Sequence, residues 1–446
     1  MQLIRTVWLN PRLRSEAAWV LGHKFVEFLV TFAALKLLTN LVSKAVFGEY
    51  NIALTGLLLA ADLLAIPIAH TYQRSYHTVE ANGTGRAALA QTMRWLAFVT
   101  IGVTVLAAVL TLPASRLFGF EPLTILAAGL IFLPNRWRSL WVEVLDVRRE
   151  RAACAIHNVG FFATQTVLTA LAVYLISPRA TTALFAYAAA ATIFGAIGLR
   201  GLLRDLRRRP PGESADLRRM FLTFGAPLGL LLVCQWLQSF SERYVLTIQL
   251  DLDAVGLYVA AYQVCGIPFM LLHAVLSVLV LPVAYQRAKD ISDASQVYAG
   301  DRILLLGVGC YIVVGALMVV AYWFCGQHLL RLLTTADYVL PATTLACVAA
   351  ARYLICLGML LQMFFKVHQR MAALLIFGII GGLMVIPASW FAVKLYGVLG
   401  AALGVLVTGI IYNALAIFAP GGCLSLIRAV RAARMPRDDA GEEVCR

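Results

Sequence analysis

The chain has 446 residues, of which 61% are hydrophobic and 13% charged, and its mean hydropathy is +0.82. Soluble domains are about 45–50% apolar and about 25% charged, so this composition excludes an ordinary soluble protein and a disordered chain. The formal net charge of +14 would indicate nucleic acid in a soluble protein. Here the basic residues lie in short connections between apolar runs, which is typical of membrane topology, and no nucleic-acid partner is expected.

Apolar runs of about 20 residues, the length that a bilayer-spanning helix needs, follow one another along the chain. We predict an all-α integral membrane protein with about twelve transmembrane helices. Pro134 and the polar residues after it interrupt the fourth run, and we expect that span to be broken there. The runs lie near 16–38, 51–70, 92–112, 119–140, 154–176, 181–202, 220–240, 255–282, 303–323, 341–364, 371–393 and 396–418.

The charges of the connections test this count. If the N-terminus is inside, the inner segments carry 28 Lys and Arg residues, and the six outer loops, including the one assigned to Arg243, carry one each. The bias keeps its sign along the whole chain, as the positive-inside rule requires. The sequence therefore predicts that both termini are cytoplasmic.

An arginine-rich stretch with Pro210 and Pro211 divides the chain near its middle. We predict an N-terminal six-helix lobe (1–202), a cytoplasmic linker (203–219), a C-terminal six-helix lobe (220–423) and a cytoplasmic tail (424–446). A short internal repeat supports two related lobes, because internal repeats are common in secondary transporters. Phe47-Gly48-Glu49-Tyr50 precedes the second run, and Val255-Gly256-Leu257-Tyr258 opens the eighth, 208 positions later.

The nine cysteines form no CxxC pair and no cluster with histidines, so we expect neither disulfides nor a bound metal. The outer loops are too short to hold a donor and an acceptor together, which disfavours a membrane polymerase, glycosyltransferase or acyltransferase. We therefore expect no catalytic residues, no cofactor and no enzymatic activity.

One motif combines an acidic residue and Arg, an apolar stretch, Gly-Leu-Tyr, an Ala-Tyr pair and a proline after the span. It comprises Ser241-Glu242-Arg243-Tyr244-Val245-Leu246, residues 255–262 and Pro282, and residues 47–50 and 396–402 accompany it. In these motifs and in its span count the chain resembles the polysaccharide exporters and Wzx-type O-antigen flippases of the multidrug/oligosaccharidyl-lipid/polysaccharide (MOP) superfamily. It departs from the usual pattern in that Glu242 stands where Asp is commoner, and some relatives have fourteen spans.

The resemblance implies two pseudo-symmetric lobes around a central cavity that opens alternately to either face. The implied cargo is an undecaprenyl-diphosphate-linked oligosaccharide, which is moved from the cytoplasmic to the periplasmic leaflet of a bacterial inner membrane for O-antigen, capsule or exopolysaccharide synthesis. The implied partners are membrane lipids, a coupling H+ or Na+, a polysaccharide polymerase and a chain-length regulator. A multidrug extrusion antiporter and a lipid II flippase of the same superfamily are the alternatives.

Charged residues inside apolar spans cost several kcal/mol and usually mark a transport path. Lys24 and Glu27 share a face of the first span, where Lys24 is predicted to attract the diphosphate and Glu27 to act as counter-charge or proton carrier; a buried ion pair is the alternative. Asp62 in the second span is another ion-coupling candidate, or it neutralises Lys24. Lys36 lies near the outer end of the first span and is expected to snorkel to the surface.

Five further residues complete the predicted binding set. Arg352 lies in the middle of the tenth span, where it binds phosphate through a two-pronged contact or pairs with an acid of the C-terminal lobe. Arg136 and Arg138 are placed at the cytoplasmic mouth of the broken fourth span, as phosphate ligands or as ordinary membrane anchors. Gln235 and Gln238 in the seventh span are expected to bind sugar hydroxyls or another helix.

The charge asymmetry makes a prediction about topology. A single cysteine at position 212 should be cytoplasmic and one at position 179 periplasmic, in a background freed of the nine native cysteines. In intact cells an impermeant maleimide should therefore label position 179 but not position 212. Strong labelling of position 212 in intact cells would contradict the twelve-span topology.

Overall fold

The computed structural model describes residues 11–209, 217–288 and 293–434, and in these ranges the chain is almost entirely helical and has no strand. Twelve helices of the described ranges are long enough to cross a bilayer, and a short thirteenth helix follows them. They are α1 (Pro11–Leu41), α2 (Lys44–Ala81), α3 (Gly85–Phe118), α4 (Thr124–Val147), α5 (Arg151–Leu175), α6 (Ala180–Arg208), α7 (Leu217–Gln249), α8 (Leu252–Arg287), α9 (Ala294–Leu333), α10 (Ala342–Val367), α11 (Met371–Tyr396), α12 (Val398–Phe418) and α13 (Cys423–Arg434).

Eleven stretches of the described chain are long and apolar enough to span a membrane. Together with the alternating direction of the helices, they make the chain a multi-pass membrane protein, as its composition predicts. α4 has the required length but falls outside these eleven stretches. It carries Arg136, Arg138, Glu143 and Asp146, and it lies against α3 and α6.

The expected break in the fourth span is wrong, because α4 runs without interruption through Pro134. Gly195 of α6 lies directly against the backbone of Pro134, so the two helices pack closely at this point. The polar residues are also satisfied inside the helix, since Arg138 Nε donates to Asn135 Oδ1 at 2.9 Å. As a result Arg136 lies within the bundle and not at its mouth.

The short connections alternate between the two ends of the helix bundle. We call the end with the arginine-rich connections the basic end and the other the opposite end. The connections at the basic end are 82–84, 148–150, 209–216, 288–293 and 368–370; those at the opposite end are 42–43, 119–123, 176–179, 250–251, 334–341 and 397. Both ends of the predicted linker 203–219 are helical, because α6 continues to Arg208 and α7 starts at Leu217. Residues 210–216, including position 212, lie outside the described residues.

Helices α2 and α8 cross in close contact near the opposite end, and the contact is reciprocal. A Cβ atom on Gly48 would collide with the carbonyl oxygen of Leu252, and one on Gly256 would collide with the carbonyl oxygen of Lys44. Lys44 and Leu252 are 208 positions apart, and so are Gly48 and Gly256. The two halves of the chain, α1–α6 and α7–α12, therefore meet around a local pseudo-twofold axis.

A helix cap and a turn also repeat between the two halves. Ser43 caps α2 by accepting from the amide of Val46, and Asp251, 208 positions later, caps α8 by accepting from the amide of Ala254. Among the described residues, the only non-glycine residues with positive φ are Arg149 (φ 61°) and Gln369 (φ 54°). They occupy matching positions in the turns between α4 and α5 and between α10 and α11.

The glycine contact predicts the effect of a substitution on stability. Gly256→Val should push α8 away from α2 and cost about 1–3 kcal/mol, the usual cost of overpacking. A lower melting temperature of the purified protein in detergent measures this loss. The matched control is Gly309→Val in α9, where an added Cβ would meet no atom within 4 Å. Equal melting temperatures of the two variants would contradict a tight α2–α8 contact.

Candidate functional site

The two halves are joined at the opposite end by contacts from α1 and α2. Lys36 Nζ donates to the carbonyl oxygen of Thr334 at 2.6 Å, and the ring of Phe47 packs edge-on against Tyr338 at 6.3 Å between centroids. The expectation that Lys36 snorkels to the surface is therefore wrong. Its ammonium group caps the last turn of α9 across the interface between the halves.

Further hydrogen bonds extend this junction along α2 and α7 towards the middle of the bundle. Trp236 Nε1 donates to the carbonyl oxygen of Thr55 at 2.8 Å, and Tyr244 Oη donates to that of Ile52 at 3.2 Å. Thr55 lies eleven residues from the start of α2, which corresponds to about 16 Å along the helix axis. The halves are thus held together from the opposite end to roughly half of the membrane depth.

A cationic side chain lies between the halves closer to the basic end. Lys366, near the end of α10, has an exposed side chain and lies within electrostatic range of His70 on α2 and His273 on α8. His70 Nδ1 is 2.9 Å from Gln73 Oε1. Because His70 belongs to the first half and Lys366 and His273 to the second, Lys366 lies where the two halves face each other on the basic side of the junction.

A group of charged residues, the α1/α4 cluster, lies inside the first half. It comprises Lys24, Glu27, Asp62, Arg136, Arg138 and Glu143. Lys24 Nζ donates to Glu27 Oε2 at 2.7 Å, and the Lys24 side chain is 44% exposed whereas that of Glu27 is 14% exposed. Glu27 also lies within electrostatic range of Arg138. The lysine is therefore the accessible member of this pair.

The arginines of α4 connect this pair to two further acids. Arg136 lies within electrostatic range of Asp62 and Glu143, its Nε has no hydrogen-bond partner in the described chain, and its guanidinium lies 5.4 Å from the ring centre of Phe132. Arg138 Nη1 donates to Asn158 Oδ1 at 2.9 Å. Three cations and three acids thus balance in the α1/α4 cluster.

The second half contains the α7/α10 cluster, which comprises Glu242, Arg243, Tyr262 and Arg352. Glu242 is 0% exposed and its carboxylate lies 3.8 Å from Arg243 Nε. Arg352 Nη1 donates to Tyr262 Oη, and its guanidinium stacks over that ring at 4.2 Å. Arg243 approaches the same ring at 4.5 Å. Two buried arginines therefore face one glutamate, and the Nε of Arg352 has no partner among the described residues.

The two predicted glutamines make contacts between helices. Gln235 Nε2 donates to Gln362 Oε1 at 3.0 Å, and Gln362 in turn donates to Tyr412 Oη at 3.2 Å. Gln238 Nε2 donates to the carbonyl oxygen of Gly378 at 3.3 Å. In this conformation both amides bond to other helices, the second of the two roles expected for them.

The structure brings together only some of the predicted residues. Lys24 lies in the α1/α4 cluster and Arg352 in the α7/α10 cluster, so a single site that uses both stays a prediction. Sequence reasoning missed Glu143 and Lys366, and it assigned Arg243 to an outer loop. This assignment is wrong because α7 continues to Gln249 and buries Arg243. The adjacent pair Glu242-Arg243 at the end of an apolar run could have indicated a buried ion pair. Within the described residues no group of His, Cys, Asp or Glu could hold a metal ion.

No protein-family model matches the sequence, and no curated protein matches it. Solved structures do match. The inward-facing conformation of a multidrug resistance MATE family transporter of the MOP superfamily superposes with a TM-score of 0.73 at 12% identity, over 94% of this chain and 100% of that chain. The chain has the MOP-transporter fold. The fold that the sequence motifs imply is thereby confirmed.

Two further structures cover almost the whole chain. The outward-facing conformation of a multidrug resistance MATE family transporter has a TM-score of 0.64 at 13% identity, over 95% of this chain and 96% of that chain. A MOP superfamily transporter from Pyrococcus furiosus has a TM-score of 0.66 at 13% identity, over 96% of this chain and 97% of that chain. The reverse polarity of its binding pocket suggests a different function for that protein. The fold is thus known in inward-facing and outward-facing conformations, and this chain superposes better on the inward-facing one.

The α7/α10 cluster predicts a coupled effect on stability. Glu242→Gln should cost about 3–5 kcal/mol, because it leaves Arg243 and Arg352 buried without a carboxylate. Adding Arg352→Ala should restore part of that loss, which the melting temperatures of the single and double variants measure. Lys24→Ala serves as the control, since an exposed ion pair contributes only about 0–1 kcal/mol. An unchanged melting temperature in Glu242→Gln would show that this carboxylate does not stabilise the fold.

Proposed function

We propose that the protein is a flippase that moves an undecaprenyl-diphosphate-linked oligosaccharide between the leaflets of a bacterial inner membrane by alternating access. The observation that carries this proposal is the excess of positive charge in the α7/α10 cluster and at Lys366. The α1/α4 cluster is balanced, the α7/α10 cluster has two arginines for one glutamate, and Lys366 adds a further cation between the halves. Positive charge inside the membrane is costly, and an anionic cargo relieves that cost.

The cargo poses a clear physical problem. A sugar headgroup and its diphosphate cannot cross about 30 Å of hydrocarbon without a polar path. Lys24 and Lys366 are exposed interior cations, and both are suited to bind a phosphate group as point charges. Each charge-assisted contact contributes roughly 1.5–3 kcal/mol, which corresponds to about a tenfold to a hundredfold change in affinity.

The direction of loading follows from the junction between the halves. Hydrogen bonds from Lys36, Trp236 and Tyr244 hold the halves together at the opposite end, whereas Lys366 lies on the basic side of that junction. Under the positive-inside rule the basic end faces the cytoplasm, where we propose that both termini lie. The diphosphate would then enter from the cytoplasmic side and leave after the junction opens. Glu27 and Asp62 remain the candidates for coupling to H+ or Na+.

A multidrug antiporter is the second candidate, and one observation favours it. The α1/α4 cluster contains three acids, Glu27, Asp62 and Glu143, which suit an organic cation exchanged for protons. The solved structures of multidrug resistance transporters share the fold. In the Pyrococcus furiosus transporter a binding pocket of reverse polarity suggests a different function for that protein, so pocket charge is the property that separates the two candidates here.

Purified protein in liposomes tests the proposal directly. The full chain should accelerate flipping of a fluorescent undecaprenyl-diphosphate oligosaccharide, measured by accessibility to an impermeant quencher, and it should not accumulate ethidium in a proton gradient. Lys366→Ala should lower the flipping rate about tenfold or more, while Lys366→Arg keeps most of it because the charge remains. Lys394→Ala, which removes an exposed lysine at the opposite end, is the matched control.

A deletion strain gives a second test in cells. Loss of the protein should block surface or secreted polysaccharide while complete lipid-linked repeat units collect on the cytoplasmic leaflet. Shortened or unfinished repeat units would instead identify an assembly enzyme. If the liposomes transport ethidium but do not flip the lipid, the protein is a drug antiporter and the flippase proposal is wrong.

A further inference from the structure

An apolar groove runs along the outside of the first half between α1 and α5, starting at the basic end. Its volume is about 700 Å³, and its walls include Ser15, Ala18 and Gly22 on α1 and Ala155, Val159 and Gly160 on α5. Most of these side chains are small, and on α1 they recur at helical spacing, so they leave space between two helices that otherwise pack closely. A Cβ atom on Gly22 would meet no atom within 4 Å, which shows that the groove is open at that point.

The length of the groove matches one leaflet of a bilayer. Its lining on α1 extends from Ser15 to Val26, and these eleven steps of the helix correspond to about 16 Å along its axis. Half of a hydrocarbon core about 30 Å thick is about 15 Å. A single acyl chain that starts at the basic end would therefore follow the groove to the middle of the membrane.

The mouth of the groove carries charges of both signs. A second concave region of about 530 Å³ adjoins the groove, shares Ser15 and Trp19 with it, and is also lined by Arg149, Glu150 and Arg151. Arg151 forms an ion pair with Asp146. Arg149 and Glu150 are both exposed, and neither side chain has a hydrogen bond or an ion-pair partner within the described residues. One unpaired cation and one unpaired anion thus stand side by side where a lipid headgroup would lie.

We propose that this groove is a binding site for a phospholipid whose headgroup carries both a phosphate and a primary ammonium group, as phosphatidylethanolamine does. One acyl chain fills the groove, the phosphate binds Arg149, and the ammonium group donates to Glu150. Phosphatidylglycerol would present the same phosphate to Arg149 but has no ammonium group for Glu150. A quaternary ammonium, as in phosphatidylcholine, has no N–H to donate to that carboxylate.

A lipid in this groove would contact the interior of the first half through one residue. His23 lines the groove, its Nδ1 lies 2.9 Å from the carbonyl oxygen of Trp19, and its Nε2 lies 4.0 Å from Glu27 of the α1/α4 cluster. A bound acyl chain would therefore rest against a side chain that lies 4.0 Å from Glu27. The site is distinct from the space between the halves, and its existence does not depend on what the protein transports.

Native mass spectrometry of the purified full chain tests the site with dioleoyl-phosphatidylethanolamine, -phosphatidylglycerol and -phosphatidylcholine at equal concentration. The protein should retain phosphatidylethanolamine at least fivefold more than either other lipid. Gly22→Leu fills the groove and should lower that retention about tenfold. Gly102→Leu on α3 is the matched control, because Gly102 is also exposed with no atom within 4 Å of an added Cβ. Glu150→Gln should remove the preference over phosphatidylcholine. Arg149→Asn should lower the retention of phosphatidylethanolamine and of phosphatidylcholine alike, because both carry the phosphate.

Several outcomes would overturn the proposal. Equal retention of the three lipids would show that the groove does not select this headgroup. The same retention of phosphatidylethanolamine in Gly22→Leu as in Gly102→Leu would show that the lipid does not bind in the groove. A preference for phosphatidylglycerol that survives Glu150→Gln would assign the mouth to an anionic lipid instead. Displacement of phosphatidylethanolamine by equimolar undecaprenyl phosphate would assign the groove to a polyprenyl chain. If Gly22→Leu does not fold, the lipid preference of Glu150→Gln tests the proposal by itself, since an exposed side chain can be changed without loss of stability.

Discussion

The close crossing of α2 and α8 is the contact on which the arrangement of the two halves depends. Gly48 and Gly256 each allow the backbone of the other helix to approach to van der Waals distance, and neither position has room for a side chain. In a bilayer the hydrophobic effect does not drive helices together, so backbone approach at small residues is a main source of packing energy. The neighbouring hydrogen bonds of Lys36, Trp236 and Tyr244 follow from this approach, because they need the halves at this separation.

The two halves share a backbone plan but differ in the charges they enclose. The first half encloses a balanced set of cations and acids, part of which is accessible through Lys24. The second half encloses arginines that stack on Tyr262 and have a single nearby carboxylate, Glu242. The two halves thus repeat a fold without repeating its charges.

Much of the fold could be predicted from the sequence, because hydropathy and loop charge report directly on membrane crossing. The repeat at an offset of 208 residues contains Gly48 and Gly256, but their contact became visible only in the structure. The failures concern residues whose partners lie far away in the chain. Pro134 was predicted to break a span because its stabilising neighbour, Gly195, is 61 positions away. Arg243 was predicted to lie in a loop because its aromatic partner Tyr262 is on another helix. Lys36 has its partner, Thr334, 298 positions away.

The connection between α6 and α7 has a consequence for the amplitude of motion. Arg208 ends one helix and Leu217 starts the next, so nine Cα-to-Cα steps join the halves covalently. A fully extended chain covers about 3.3–3.6 Å per residue, which limits this tether to about 30–32 Å. The ends of α6 and α7 can therefore never be further apart than roughly one membrane thickness, however wide the molecule opens. The number of residues between Arg208 and Leu217 thus sets an upper limit on the distance between these two helix ends.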